Sequence, residues 1–236
     1  MMEPREFAVC PHDTARGIEK WALFHTRVNR ALDLKSRFTP HISFADFGKS
    51  LRAGEFLWAY VNPADFVHLR ALFGFRPLVR PASRFDLARI IGRAGGGPVP
   101  VGARVARVPG YLATVVEAQW RERGLSTEAV SAQSYAEVVK LVDRGVVDFG
   151  ITYNEHFDVL PEATRERFGV IETIDLGLSH VVAAHPSLDD RRGAALTELL
   201  FDTGPVGAQV RAAIDVERFD LPEETSFRYL ETLLYP

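Results

Sequence analysis

The same order of elements is written twice in this chain. The first copy opens with a short apolar run, Phe7 to Cys10, that meets Pro11. A segment with helical period follows, with Ile18, Trp21, Ala22, His25, Val28 and Leu32 on one face. Phe38, Pro40, Ile42 and Phe44 then alternate as a half-buried strand requires. Asp46 can cap a short helix carrying Phe47, Ser50 and Leu51, which Gly54 ends. Glu55 to Tyr60 reads as a buried strand. In the second copy, Ala103 to Val108 is a strand meeting Pro109-Gly110. Leu112, Val115, Val116 and Trp120 align on a helix closed by Gly124, and Ala129 to Ala132 forms a short strand. Tyr135, Val138, Val139 and Val142 fall at helical spacing, Gly145 closes that helix, and Val146 to Ile151 is the next strand. Setting Gly54 against Gly145 pairs Trp58 with Phe149, Ala59 with Gly150 and Phe66 with Phe157.

Each copy thus reads strand–helix–strand–helix–strand, which predicts a parallel sheet with helices on both faces. Two copies predict an α/β chain of two Rossmann-like lobes. Ligands of open α/β sheets bind beyond the carboxyl ends of the strands, so a ligand cleft is expected between the lobes. Arg80-Pro81-Ala82-Ser83 is the expected first crossing and Gly177-Leu178-Ser179-His180 the return. Residues 1–82 and 178–236 would then form lobe 1 and residues 83–177 lobe 2. Val181 to Ala184 and the helical tail from Asp189 onward are expected on lobe 1, and Gly95-Gly96-Gly97-Pro98 is expected as a surface loop.

Composition excludes several classes. With 47% hydrophobic and 25% charged residues the chain is globular rather than disordered. A net charge of -3 without a basic stripe argues against a nucleic-acid partner. No uncharged apolar run approaches the ~20 residues of a membrane span, so no membrane insertion is expected. One cysteine excludes an internal disulfide. The start, Met1-Met2-Glu3-Pro4-Arg5-Glu6, lacks the basic, apolar and small-residue parts of a secretory signal. The expectation is a cytoplasmic protein if the chain is full length and a periplasmic one if a leader was removed. No Walker loop, GxGxxG turn, GxSxG elbow or HExxH pair is present. No cofactor, metal or catalytic residue is expected.

The candidate contacts are turns that follow strands. Asn62 with Pro63 is an N-cap starting a helix through Phe73, or a ligand contact. Tyr60 can stack on a ligand or lie half-buried in the core. In Pro109-Gly110-Tyr111, Gly110 lets the backbone approach a ligand and the helix start favours an anion, although a plain tight turn explains the same residues. Cys10-Pro11-His12-Asp13 occupies the matching first turn. Cys10 and His12 are a nucleophile and a base by type, without a positioning acid. Thr152-Tyr153-Asn154-Glu155-His156 is the most polar turn: Asn154 and Glu155 suit ligand hydroxyl or amine groups, or serve as a cap and a first-turn acid.

Taken in order, these pieces resemble the phosphate/phosphite/phosphonate substrate-binding family of ABC transporters, from about Phe7 to Leu230. The resemblance is carried by Phe44-Ala45-Asp46-Phe47 through Leu51-Arg52-Ala53-Gly54 and by Ala59-Tyr60-Val61-Asn62. Val108-Pro109-Gly110-Tyr111-Leu112, the Gly145-Val146-Val147-Asp148 turn and Thr152-Tyr153-Asn154-Glu155 complete it. It implies a type II periplasmic-binding-protein fold. It also implies an aromatic contact from Phe44, a Tyr at a strand end (Tyr60), and polar contacts near Gln133, Ser134, Asn154 and Glu155. The chain departs from the family at Arg107-Val108-Pro109-Gly110, where members carry a Ser-x-Ser-Gly run, and at Phe44, where a Tyr is common. Arg107 can replace the lost anion donors if it faces the ligand, and strand alternation equally allows it to point away. The leading expectation is a transport-type or sensing protein. It would bind a small polar or anionic solute, phosphonate- or phosphate-like or a compact metabolite, with an ABC permease as partner. The alternative is a cytoplasmic enzyme on the same fold acting on a small metabolite; an effector module of a regulator ranks third.

Overall fold

The computed structural model describes residues 5–82 and 84–235. Met1 to Pro4 and Ser83, the last residue of the expected crossing, lie outside the described residues. The chain divides into two compact units, Met1–Arg84 with Ser179–Glu224, and Phe85–Leu178 with Thr225–Pro236.

The first unit runs through β1 (Glu6–Val9), α1 (Pro11–Arg16), α2 (Ile18–Leu32), β2 (Arg37–Phe38), α3 (Phe44–Ala53), β3 (Phe56–Val61), α4 (Pro63–Phe73) and β4 (Arg76–Pro81). The second contains β5 (Leu87–Arg93), β6 (Arg104–Arg107), α5 (Tyr111–Glu122), β7 (Glu128–Ser131), α6 (Tyr135–Asp143), β8 (Phe149–Tyr153), α7 (Asn154–Phe157), α8 (Glu162–Arg165) and β9 (Phe168–Asp175). The chain then continues in the first unit with β10 (Val181–Ala184), α9 (Asp190–Phe201), α10 (Pro205–Ala212) and β11 (Phe219–Asp220), and ends in α11 (Glu224–Leu234).

The strand orders are β11-β4-β10-β3-β1-β2 and β7-β6-β8-β5-β9. The sequence echo is a structural one. Ala59 on β3 lies between Ala8 of parallel β1 and Ala183 of antiparallel β10. Gly150 on β8 lies likewise between Ala106 of parallel β6 and Ile91 of antiparallel β5. The sheets are therefore mixed, not parallel throughout as expected. The repeated unit supplies three parallel strands, and the strand that follows each passage of the chain between the units, β5 or β10, enters in the opposite sense.

Gly150 shows how tightly a helix sits on its sheet. A Cβ there would lie 2.5 Å from Val138 Cγ1 and 3.0 Å from Val142 Cγ2, both on α6. In the first unit the Phe7 and Trp58 rings stack with centroids 3.8 Å apart. Ser36 Oγ accepts from Trp58 Nε1 at 3.0 Å and lies 3.1 Å from His25 Nε2. His25 is thus the satisfied core residue its apolar stripe predicts, and burial holds its imidazole below the ordinary range.

Several boundaries differ from expectation. The alternating run Phe38 to Phe44 is a strand only at Arg37–Phe38, and Ile42 and Phe44 are exposed at 67% and 61%. Ser43, not Asp46, caps α3: its side chain accepts from the Ala45 and Asp46 N–H groups, which pulls Phe44 into the helix. Arg80 and Pro81, read as a crossing, belong to β4 and pair with Asp220 and Phe219. Phe149 starts β8, so Thr152 and Tyr153 are strand residues rather than a turn. The tail expected on lobe 1 divides. Residues Thr225–Pro236 belong to the second unit, where Tyr229 OH donates to Glu122 at 3.2 Å.

Candidate functional site

Polar groups gather at the carboxyl ends of the parallel strands in each unit. In the second unit β6 ends at Arg107, and Val108-Pro109-Gly110 leads directly into α5. Ser43, Asn62, Ser134 and Asp189 cap α3, α4, α6 and α9 with their side chains. α5 starts on Gly110 with no side-chain cap and no acidic residue in its first turn. A Cβ on Gly110 would meet nothing within 4 Å. This 12-residue helix therefore opens onto free space with its positive end bare.

Behind that turn lies a carboxylate–phenol cluster. Asp86, 2% exposed, accepts from Tyr111 OH at 2.6 Å and from Tyr153 OH. Tyr135 stacks beside Tyr153, with centroids 6.2 Å apart, and His156 lies 5.9 Å from Tyr135. Burial, reinforced by the Asp86 charge, pushes the Tyr111 phenol well above its ordinary range and Tyr135 up to about 12. Both phenols keep their protons at neutral pH, and Tyr111 donates its own to Asp86. Arg107, the proposed replacement anion donor, pairs with Glu117 at 2.5 Å. Its charge is matched within the protein.

In the first unit, Cys10 Sγ, the Asp13 carboxylate and the His180 ring place donor atoms within 4.8 Å of one another. Tyr60, 2% exposed, packs tilted against Trp21 with ring centroids 4.6 Å apart and stacks on His180 at 5.5 Å. Asn62 caps α4, accepting from the Asp65 N–H at 2.9 Å, and its amide donates to Asp65 Oδ2 at 2.6 Å. Burial raises the Asp65 carboxyl from 3.8 to about 6, against the opposing effects of His180 and the Asn62 bond. The folded state holds this proton more tightly than the unfolded chain does. The group's contribution to stability is therefore full below pH 3.8, is lost as pH rises to about 6, and is flat above. Asp65→Asn retains the acceptor for Asn62. It is expected to gain at most about 3 kcal/mol at neutral pH, several degrees in Tm, and almost nothing near pH 4. Equal shifts in thermal melts at the two pH values would contradict this.

The sequence candidates fall into distinct places. Pro109, Gly110 and Tyr111 form the α5 start, and Pro109 and Gly110 are exposed. Ser134 Oγ accepts from the Glu137 N–H at 3.2 Å, and the Gln133 N–H donates to Glu137 Oε2 at 2.6 Å, a reciprocal cap at the start of α6. Asn154 Oδ1 accepts from the Leu87 N–H at 3.2 Å, tying α7 to β5; Glu155 follows it in α7. His12 lies in α1, beside the Cys10–Asp13–His180 group. Phe44 sits on the exposed first turn of α3 rather than on a strand. Asp86, Tyr135, Asp13, Asp65 and His180 were not singled out as site residues. Asp86 and His180 belong to no local motif, and only strand pairing brings them to the site.

A family model described as "ABC transporter, phosphonate, periplasmic substrate-binding protein" matches residues 110–227, half of the chain. No curated protein matches it by sequence. XAC2383 from Xanthomonas citri, solved with a bound chloride ion, superposes with a TM-score of 0.71 at 16% identity, covering 97% of this chain and 95% of that one. PhnD1 from Prochlorococcus marinus, solved with methylphosphonate, gives 0.70 at 13% identity, covering 97% and 96%. The aliphatic sulphonate binding protein SsuA of Escherichia coli gives 0.62 at 9% identity, covering 100% and 87%. At these identities the likeness carries the fold, the two-lobed α/β architecture of periplasmic binding proteins. The family match carries the class of activity, which is capture of small anionic solutes and not turnover. The chain belongs to the phosphonate substrate-binding proteins of ABC transporters.

Proposed function

We propose that this chain captures a small tetrahedral oxyanion of the phosphonate or phosphate class in the periplasm and passes it, unaltered, to an ABC permease. The observation that carries this reading is the bare N-terminus of α5 at Gly110, where the family match also begins. Backbone N–H groups at a helix start bind oxyanions without a side-chain cation. That matters here because Glu117 already engages Arg107. Pro109, Gly110 and Tyr111 are assigned to the anion head. Gln133, Ser134, Asn154 and Glu155 are the polar contacts of the same unit.

Calorimetric titration with methylphosphonate, inorganic phosphate and methanesulfonate tests the assignment. Saturable 1:1 binding with Kd near micromolar, about -8 kcal/mol, is expected for at least one of them. Absence of heat and of any ligand-dependent shift in Tm across all three would contradict it.

A further inference from the structure

We propose that the first unit contains a metal site in which Cys10, Asp13 and His180 hold one borderline-soft divalent cation, Zn2+ in the first instance. The site depends on the first unit alone and is independent of which solute the protein carries.

Topology assembles it from residues 170 positions apart. β1 and β10 flank β3 on opposite sides, with Val9 opposite Tyr60 and Val181 opposite Val61. The Cys10 N–H donates to Tyr60 O at 2.8 Å, which fixes Cys10 just past the end of β1. His180 immediately precedes β10, and Asp13 lies in the first turn of α1. All three side chains therefore meet over the end of β3.

The spacing suits a small ion. His180 Nε2 and Asp13 Oδ2 are 3.4 Å apart, long for a hydrogen bond. Two N/O ligands about 2.05 Å from a tetrahedral centre are separated by about 3.4 Å, and a thiolate at about 2.3 Å lies some 3.6 Å from each. Cys10 Sγ lies within 4.8 Å of both, so a shift of about 1 Å brings it to the thiolate position.

The surroundings suit an ion as well. Cys10 is 1% exposed, and the His180 and Asp13 side chains are 12% and 13% exposed. Asp13 Oδ2 is buried and accepts no hydrogen bond from the described residues, an expensive arrangement for a carboxylate oxygen that metal coordination would offset. The Tyr60 ring stacks on His180 and fixes its plane, and the Asn62 amide, itself anchored on Asp65, lies 3.8 Å from Cys10 Sγ. Outer groups of this kind orient metal ligands. A mixed thiolate, imidazole and carboxylate set selects Zn2+ or Co2+ over Mg2+ and Ca2+, which require oxygen ligands throughout. Three protein ligands leave a fourth position for water or an anion.

The chain has a single cysteine, so any thiolate–metal signal reports this site. Chelator-treated full chain is titrated with Co2+ and then with Zn2+. The expected result is one Co2+ per chain with a thiolate-to-cobalt charge-transfer band in the near ultraviolet, displaced by Zn2+ binding at micromolar Kd or tighter. His180→Gln and Asp13→Asn are expected to weaken Zn2+ binding about a hundredfold or more, Cys10→Ser to abolish the band, and His185→Gln to change neither. In the unmodified chain, Zn2+ is expected to slow alkylation of Cys10 at least about tenfold, a readout that needs no variant. A folded protein with no charge-transfer band, Zn2+ affinity unchanged in the His180 and Asp13 variants, or alkylation indifferent to Zn2+ would each overturn the proposal.

Discussion

Gly110→Asp is expected to weaken oxyanion binding about a hundredfold relative to Gly110→Asn. The two substitutions share the same backbone cost and nearly the same shape, and a Cβ at this position meets nothing within 4 Å. They differ in one negative charge at the start of α5. Two like charges about 6 Å apart at an effective dielectric constant of about 20 repel by roughly 3 kcal/mol, which is the hundredfold. The same carboxylate caps the bare helix end and interacts favourably with its dipole, so the Asp variant should melt no lower than the Asn variant. Weaker binding in a protein at least as stable separates ligand contact from damage to the fold. Equal affinity in the two variants, by calorimetry at fixed ionic strength, would place the anion elsewhere.

Gly150→Val is expected to be the most destabilising single substitution in the second unit, at about 4 kcal/mol or more. The first added atom would stand 2.5 Å from Val138 Cγ1, 3.0 Å from Val142 Cγ2 and 3.5 Å from Ile91 Cγ1, among fully buried neighbours with no room to move. The urea midpoint should fall without a change in slope. Val138→Ala removes the nearest clashing methyl and should restore more than a third of the loss in the double variant. An additive double variant would show that strand propensity, not packing of α6 on β8, accounts for the glycine. The equivalent place in the first sheet is taken by Ala59, fully buried between β1 and β10, so that sheet leaves room for one methyl that the second does not.

Those two positions also show what could be read from the sequence. Aligning Gly54 with Gly145 puts Ala59 on Gly150, and the structure gives both the same neighbours in register, one parallel and one antiparallel strand. Helix stripes and terminating glycines are local signals, and α2, α4 and the Asn62 cap follow them. Where alternation alone was used, it failed. Ile42 and Phe44 share a strand-like period with Phe38, yet Ser43 captures two backbone N–H groups and turns the segment helical. Burial, which gives alternation its meaning, is absent there. β5 escaped because its run, Leu87-Ala88-Arg89-Ile90-Ile91, has no counterpart in the repeat and is specified by pairing with β8 and β9. The site was half legible for the same reason. Gly110 and Tyr111 are marked by a strand-to-helix turn. Asp86, in contrast, receives its two phenols from the start of α5 and the end of β8, and His180 reaches Cys10 only because β10 and β1 share β3 as neighbour.

Equilibrium dialysis of the chain against methylphosphonate, with every molecule of ligand recovered and quantified afterwards, bears most directly on capture without chemistry. One saturable equivalent retained per chain and complete recovery of intact methylphosphonate is the predicted result. No retention by folded protein, or ligand lost in proportion to a new product, would contradict it.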